Sequence, residues 1–219
     1  MEFRIPASHS RHGVTHFASY VVNLILAIFP AINDNLPMAT LVKAWTEEEL
    51  LALEHPGAKC ELIDDELIMS PTGYNHEYIG ARLLVKMTIH AERHALGSVC
   101  GSSFGCWMAS GNLLSPDVSF IRSDRLPATQ AEGDRFFRGA PDIVVEVRSP
   151  WDRESRLQEK MEDYFRSGAR LLWAVNPEEK TVEVYRAGAA TKLLNLHDIL
   201  EGEDVLPGFR LPLAELFGA

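Results

Sequence analysis

The chain has 219 residues, enough for one domain with a substantial core. Its formal net charge of −10 disfavours a chain-wide electrostatic grip on nucleic acid, although a local basic groove depends only on charge placement. The three cysteines, Cys60, Cys100 and Cys106, form no C-x-x-C pair. They argue against a disulfide framework or a Cys-rich zinc site and point to a reducing, cytoplasmic compartment.

Residues 1–37 read as an N-terminal extension, and 38–219 as a single domain. The run FASYVVNLILAIFPAI (Phe17–Ile32) is uncharged and mostly apolar, and Arg4 and Arg11 precede it. It is shorter than the ~20 residues of a spanning helix, and Asn23 and Pro30 interrupt it. Three readings stay open: an extension from an upstream start, with Met38 as the natural beginning; an export or anchor segment; a helix packed on the domain. No stable membrane association is expected.

WTEEELLALEHPG reads as a short helix with a Thr46/Glu49 capping box, ended by Pro56-Gly57. CELIDDELIMSP is a tight hairpin turning at Asp64-Asp65. Tyr74 to about Leu96 carries Ile79, Leu83, Leu84, Met87 and Ala91 near helical spacing, with Gly97 as the stop. SVCGSSFGCWMA is strand-like, then come the strand SPDVSFIR, a polar loop through Gly139 and the strand PDIVVEVRS. DRESRLQEKMEDYFRSG is a helix closed by Gly168, with an apolar stripe of Leu157, Met161, Tyr164 and Phe165. ARLLWAVNP and KTVEVYR are two further strands, and the tail is expected to hold one strand and a terminal turn. The order implies an α/β fold, a mixed sheet flanked by helices.

Side chains alternate faces along a strand. Ile143, Val145 and Val147 therefore point one way, and Asp142, Val144, Glu146 and Arg148 the other. In SPDVSFIR, Asp117 and Ser119 oppose Val118 and Phe120. If the two strands are neighbours, Asp117 and Glu146 converge on one face. Two close carboxylates repel, and a hard divalent cation removes that cost, so the pair points to a Mg²⁺ or Mn²⁺ site. The alternative for each is a solvated or arginine-paired carboxylate. Lys160 borders the apolar stripe, one turn from Tyr164, and can direct its ammonium along the sheet edge; its alternative is a snorkelling surface lysine. Glu61 in the hairpin is a further acidic candidate, and His76 at the start of the long helix ranks below the others.

Taken in order, CELIDDELIMSPTGYNHE, SPDVSFI, APDIVVEVRSPWD, LQEKMEDYFRSGARLLWAVNP, VEVYR and LPGFRLPL resemble the Uma-type restriction endonuclease family of the PD-(D/E)XK nuclease superfamily. The resemblance runs from Thr46 to Phe217. It implies a restriction-endonuclease-like fold: a helix, a three-stranded antiparallel meander, a helix and a further strand. It implies Asp117 as the first acid, Glu146 as the second and Glu61 as an additional one. The lysine expected two residues after Glu146 is replaced by Arg148, which can clamp a phosphate but cannot act as a base. Lys160 matches a lysine carried on the helix. Asp65 stands where the family's hairpin has glycine.

The activity so implied is Mg²⁺- or Mn²⁺-dependent hydrolysis of DNA phosphodiester bonds. Asp117, Glu146 and the Val147 backbone carbonyl are the expected metal ligands, with Glu61 holding a water or a second ion. Lys160 would stabilise developing charge, and Arg148 would clamp the phosphate or brace Glu146. DNA and a second copy of the chain, as a homodimer, are the expected partners. Candidate rim residues for DNA are Arg82, Lys86, Arg93, Arg148, Arg153 and Arg156. Two rivals remain: a nuclease-fold protein that binds nucleic acid or a protein partner without cutting, and a metal-free acid/base hydrolase, for example on a glycoside, using Glu61 and Glu146.

Overall fold

The computed structural model describes residues 45–53, 59–70, 72–150 and 154–218. The expectations for residues 1–37, for Met38, for the Pro56-Gly57 stop and for Arg153 lie outside them. Helix α1 (Glu47–Leu51) starts at the expected capping box: the Glu49 amide donates to Thr46 Oγ1 at 3.2 Å, and the Thr46 amide to Glu49 Oε2 at 3.1 Å. Strands β1 (Lys59–Ile63) and β2 (Glu66–Ser70) form the expected hairpin. Its central residues Asp64 and Asp65 both have positive φ, 50° and 66°, which a two-residue hairpin turn of primed type requires.

Helix α2 runs Tyr74–Arg93. It ends three residues before Leu96, the end that Gly97 implies. Ala95 takes the left-handed conformation at φ 52°, and the Leu96 amide returns to the Ala91 carbonyl at 2.9 Å. Gly97 serves a different need. It opens β3 (Gly97–Gly101) directly against β6 (Val118–Arg122), where a Cβ would lie 2.0 Å from the Ile121 carbonyl oxygen.

The stretch expected as one strand is broken at a turn. Its second half is β4 (Cys106–Trp107), which joins β5 (Leu113–Leu114) in a different sheet. The polar loop is also more ordered than its composition suggests. It contains a 3₁₀ turn (Ser123–Arg125), the short α3 (Gln130–Gly133) and β7 (Phe137–Arg138), which pairs in parallel with β4. Then follow β8 (Ile143–Val147), α4 (Glu154–Arg166), β9 (Leu171–Asn176), β10 (Thr181–Tyr185) and β11 (Lys192–Leu194). The tail holds a paired hairpin instead of one strand, β12 (Ile199–Glu201) with β13 (Arg210–Pro212), before α5 (Leu213–Phe217).

A six-stranded mixed sheet, ordered β11-β10-β9-β8-β6-β3, forms the centre. Within it, α2, the antiparallel run β3-β6-β8, α4 and β9 reproduce the expected arrangement of helix, meander, helix and strand. The β8–β9 pair is parallel, so its connection must cross a sheet face, and α4 is that crossover. Alternation along β8 divides the core. Ile143, Val145 and Val147 pack with Ile79, Leu83 and Met87 of α2. Val144 packs on the opposite face with Tyr164, Leu157 and Met161 of α4. A second sheet, ordered β2-β1-β5-β4-β7, encloses a smaller core of Leu50, Leu62 and Leu113.

These neighbouring backbone sites respond oppositely to mutation. Gly97→Ala should lower stability by at least about 2 kcal/mol, because the clash is with backbone that cannot yield without breaking the β3–β6 register. Ala95→Gly should raise it by about 0.5–1 kcal/mol, since glycine relieves the left-handed strain at some entropic cost. Urea unfolding of both variants reads the two signs; a neutral Gly97→Ala would contradict the close approach.

Candidate functional site

Asp117 sits one residue ahead of β6, where its amide donates to the Val145 carbonyl at 3.0 Å. The Val118↔Val145 register sets Asp117 across from Glu146, and both side chains project on the face of the sheet that α4 covers. The convergence expected from strand alternation is therefore present. The Val147 amide donates to Asp117 Oδ2 at 2.7 Å, and His76 Nε2 lies 3.1 Å from the same oxygen. The amide and carbonyl of one strand residue point to the same edge, so the Val147 carbonyl faces the Asp117 side of β8.

The other Pro-Asp pair has a structural role. Asp142 accepts from the Arg122 amide at 3.0 Å and lies 3.1 Å from Arg125 Nη1, away from the carboxylate cluster.

Two lysines join the acids. Lys59 Nζ lies 2.7 Å from Asp117 Oδ1 and 3.4 Å from Glu146 Oε2. Lys160 Nζ lies 2.9 Å from Glu146 Oε1 and 2.9 Å from Glu61 Oε1. Glu61 also accepts the Ser115 amide at 3.0 Å, and the Tyr164 hydroxyl donates to Glu146 Oε1 at 2.7 Å. The result is a chain of alternating charge: Asp117, Lys59, Glu146, Lys160, Glu61. Its members come from β1 of the smaller sheet, from β8 and the start of β6 in the larger one, and from α4.

Burial and charge oppose each other here. For Asp117, burial favours the neutral acid, but Lys59 and His76 outweigh it and hold the carboxyl well below its usual range. Glu61 is likewise held low, with Lys160 and Lys59 overcoming burial. Burial depresses Lys59, yet Glu146, Asp117 and Glu61 raise it above the usual lysine range. Lys160 is raised chiefly by Glu146 against the same penalty, and His76 by Asp117. Tyr164 is pushed well above its ordinary value by burial and by Glu146, so it donates as a neutral phenol. The site thus carries ionised acids and ionised lysines together.

A cleft of about 840 Å³ opens over this chain, bounded by Thr72 and Gly73 before α2, by Arg148 and Ser149 after β8, and by Arg156 on α4. Of the expected site residues, Asp117, Glu146, Glu61 and Lys160 are brought together, and Val147 lines the same cleft. Arg148 lines the cleft but does not brace Glu146: it pairs with Glu154 and lies 3.8 Å from Glu183. Arg148 stays on the Glu146 face, since Glu183 is paired through Ala174 to Glu146 and Glu154 belongs to the helix that covers that face. Arg82 and Lys86 do not line the cleft; Arg82 donates to the Glu215 backbone carbonyl and Lys86 pairs with the Glu215 carboxylate on α5.

Sequence reasoning missed Lys59. Its signal was its place two residues before Glu61 on the same face of β1. Helical spacing places Tyr164 in an apolar stripe, yet its hydroxyl also reaches Glu146, and His76 stands at Asp117. Among the described residues, no three His, Cys, Asp or Glu side chains form a ready metal cage, since the ammonium groups lie between the acids. No described helix is long and apolar enough to cross a membrane.

Comparison with known proteins agrees with this architecture. A crystal structure described as a putative nuclease from Anabaena variabilis superimposes with a TM-score of 0.68 at 20% identity, covering 80% of this chain and 98% of that one. No curated protein matches the chain. The family model for Uma2, described as "Putative restriction endonuclease", matches residues 47–214. That span covers all of the carboxylate–lysine chain; the protein has the fold of that solved structure and belongs to the Uma2 family.

Proposed function

We propose that this protein is a Mg²⁺- or Mn²⁺-dependent endonuclease that hydrolyses phosphodiester bonds of DNA. The observation that carries the reading is the placement of Lys160, 2.9 Å from both Glu146 and Glu61 in the same cleft as Asp117. The donor chemistry suits a hard cation: two carboxylates and a backbone carbonyl at one sheet edge leave room for water and phosphate oxygens. Asp117, Glu146 and the Val147 carbonyl would hold it, with Glu61 behind Lys160. When bound there, the cation supplies Lewis-acid polarisation of a phosphate oxygen and activation of a water.

The side chains of the protein supply the rest. The Val147 amide and His76 fix Asp117, so one of its oxygens remains directed at the cleft. Tyr164 fixes Glu146 from beneath. Lys160, held by two acids, presents a preorganised positive charge where negative charge develops in the transition state. Arg148 and Arg156 line the cleft and are positioned to meet the phosphate backbone. A reading in which the protein binds without cutting draws on Arg148, which replaces the strand lysine. Lys160 answers it by standing at the same carboxylate from the helix side.

Asp117→Asn and Glu146→Gln should each abolish metal-dependent cleavage of DNA while keeping the fold by circular dichroism. Wild-type activity should disappear in chelator and return with Mg²⁺. Full activity of either variant after metal depletion and reconstitution would falsify the assignment.

Lys160→Ala should lower turnover on the order of 10²–10³-fold with little change in DNA affinity, as when one preorganised donor is removed. Arg148→Ala should weaken DNA binding and flatten its salt dependence. If Lys160→Ala cuts at the wild-type rate, the helix lysine does not fill this role.

A further inference from the structure

The mechanism above has no task for Lys59, although it is as deeply set as Lys160 and Glu61. Its side chain is only 10% exposed. Its ammonium touches Asp117 Oδ1 at 2.7 Å and Glu146 Oε2 at 3.4 Å, the two acids that the proposed reading assigns to the metal. The oxygens of Asp117 are divided between partners. Oδ2 is taken by the Val147 amide and His76, which leaves Oδ1 as the oxygen facing the cleft, and Lys59 holds it. Two cations cannot share that oxygen and its neighbour on Glu146. A Mg²⁺ ion needs oxygens at about 2.0–2.1 Å, and an ammonium within hydrogen-bonding distance of both acids fills the space and repels the charge.

Lys59 also differs from Lys160 in how it is mounted. Lys160 stands on a long helix packed by Leu157, Met161 and Tyr164. Lys59 is the first residue of β1, in the smaller sheet, and reaches across to acids of the larger one. Its four-carbon stem borders the cleft of about 840 Å³, so the ammonium has somewhere to go.

We propose that Lys59 is a resident cation in the seat between Asp117 and Glu146, which keeps the metal-free protein folded and leaves that seat when a divalent cation binds. The inference rests on the metal-dependent reading of the site and adds an exchange step to it. It makes Lys59 the residue that sets metal affinity: the apparent affinity is reduced by the fraction of molecules in which the lysine holds the seat.

The test uses the full chain. In Lys59→Met, the thermal midpoint of the metal-free protein should fall, because Asp117 and Glu146 lose a shared counter-ion. Mn²⁺ should bind about tenfold more tightly or better by calorimetry. Loss of positive charge anywhere near the acids would also tighten binding to some degree, so a second measurement on the wild-type protein decides. Reductive methylation with isotopic formaldehyde, read by peptide mass spectrometry, should leave Lys59 unmodified in chelator and modify it at saturating Mg²⁺, while Lys160 stays protected in both. Equal protection of Lys59 with and without Mg²⁺, or no gain in Mn²⁺ affinity in Lys59→Met, overturns the exchange and leaves the nuclease reading standing. If neither protein binds Mg²⁺ or Mn²⁺, the metal-dependent reading fails and the exchange fails with it. Should Lys59→Met not fold, the methylation contrast carries the test alone.

Discussion

Three carboxylates, Asp117, Glu146 and Glu61, lie buried where two sheets meet, and the arrangement around them follows from keeping them charged. An isolated buried carboxylate would neutralise itself, so each must be paired and hydrogen-bonded. Lys59 and Lys160 supply two positive charges against three negative ones, leaving −1 before His76 is counted. Removing one partner from such a buried pair typically costs about 3–5 kcal/mol. The cluster therefore holds β1 of the smaller sheet against the larger sheet, as well as shaping a site. The walls of the cleft come from both sheets, so the charges that line it also lie across the junction between them.

The two Pro-Asp sequences show how position, more than motif, decides a residue's use. Asp117 and Asp142 each follow a proline and precede an apolar strand, and both are buried. Their strands are antiparallel neighbours, so the two aspartates lie toward opposite ends of the pair. At one end, Asp117 meets Glu146 and the cleft. At the other, Asp142 receives the Arg122 amide and Arg125, and closes the loop before β8. Antiparallel pairing alone prevents both from serving one site.

Much of this was legible in the sequence, and the boundary has physical causes. Period-two alternation over Ile143–Val147 located Glu146, because burial on both faces leaves few places for an acid. The capping box fixed α1, and the 3.6-residue stripe of α4 placed Lys160 at its border. Lys59 was hidden because its partners lie 58 and 87 residues further on, and its strand belongs to a different sheet. No local pattern encodes that meeting. The hairpin of the tail and β7 escaped because two- and three-residue strands are too short for a period to register. Alternation puts Arg148 on the face of Glu146, but its pairing with Glu154 in place of Glu146 depends on where α4 begins, which no strand pattern encodes.

The topology also explains how a lysine can serve from the helix. Because β8 and β9 are parallel neighbours, the chain leaving β8 must cross a face of the sheet to return, and α4 makes that crossing. The face it covers is the one that bears Glu146, since Val144, two residues earlier, packs on Tyr164. A lysine one turn before that tyrosine is consequently delivered to the same carboxylate the tyrosine holds, Lys160 at 2.9 Å and Tyr164 at 2.7 Å, both on Oε1. The parallel crossover thus brings Lys160 back in space to the carboxylate of β8, and Glu61, from the smaller sheet, holds the ammonium from its far side.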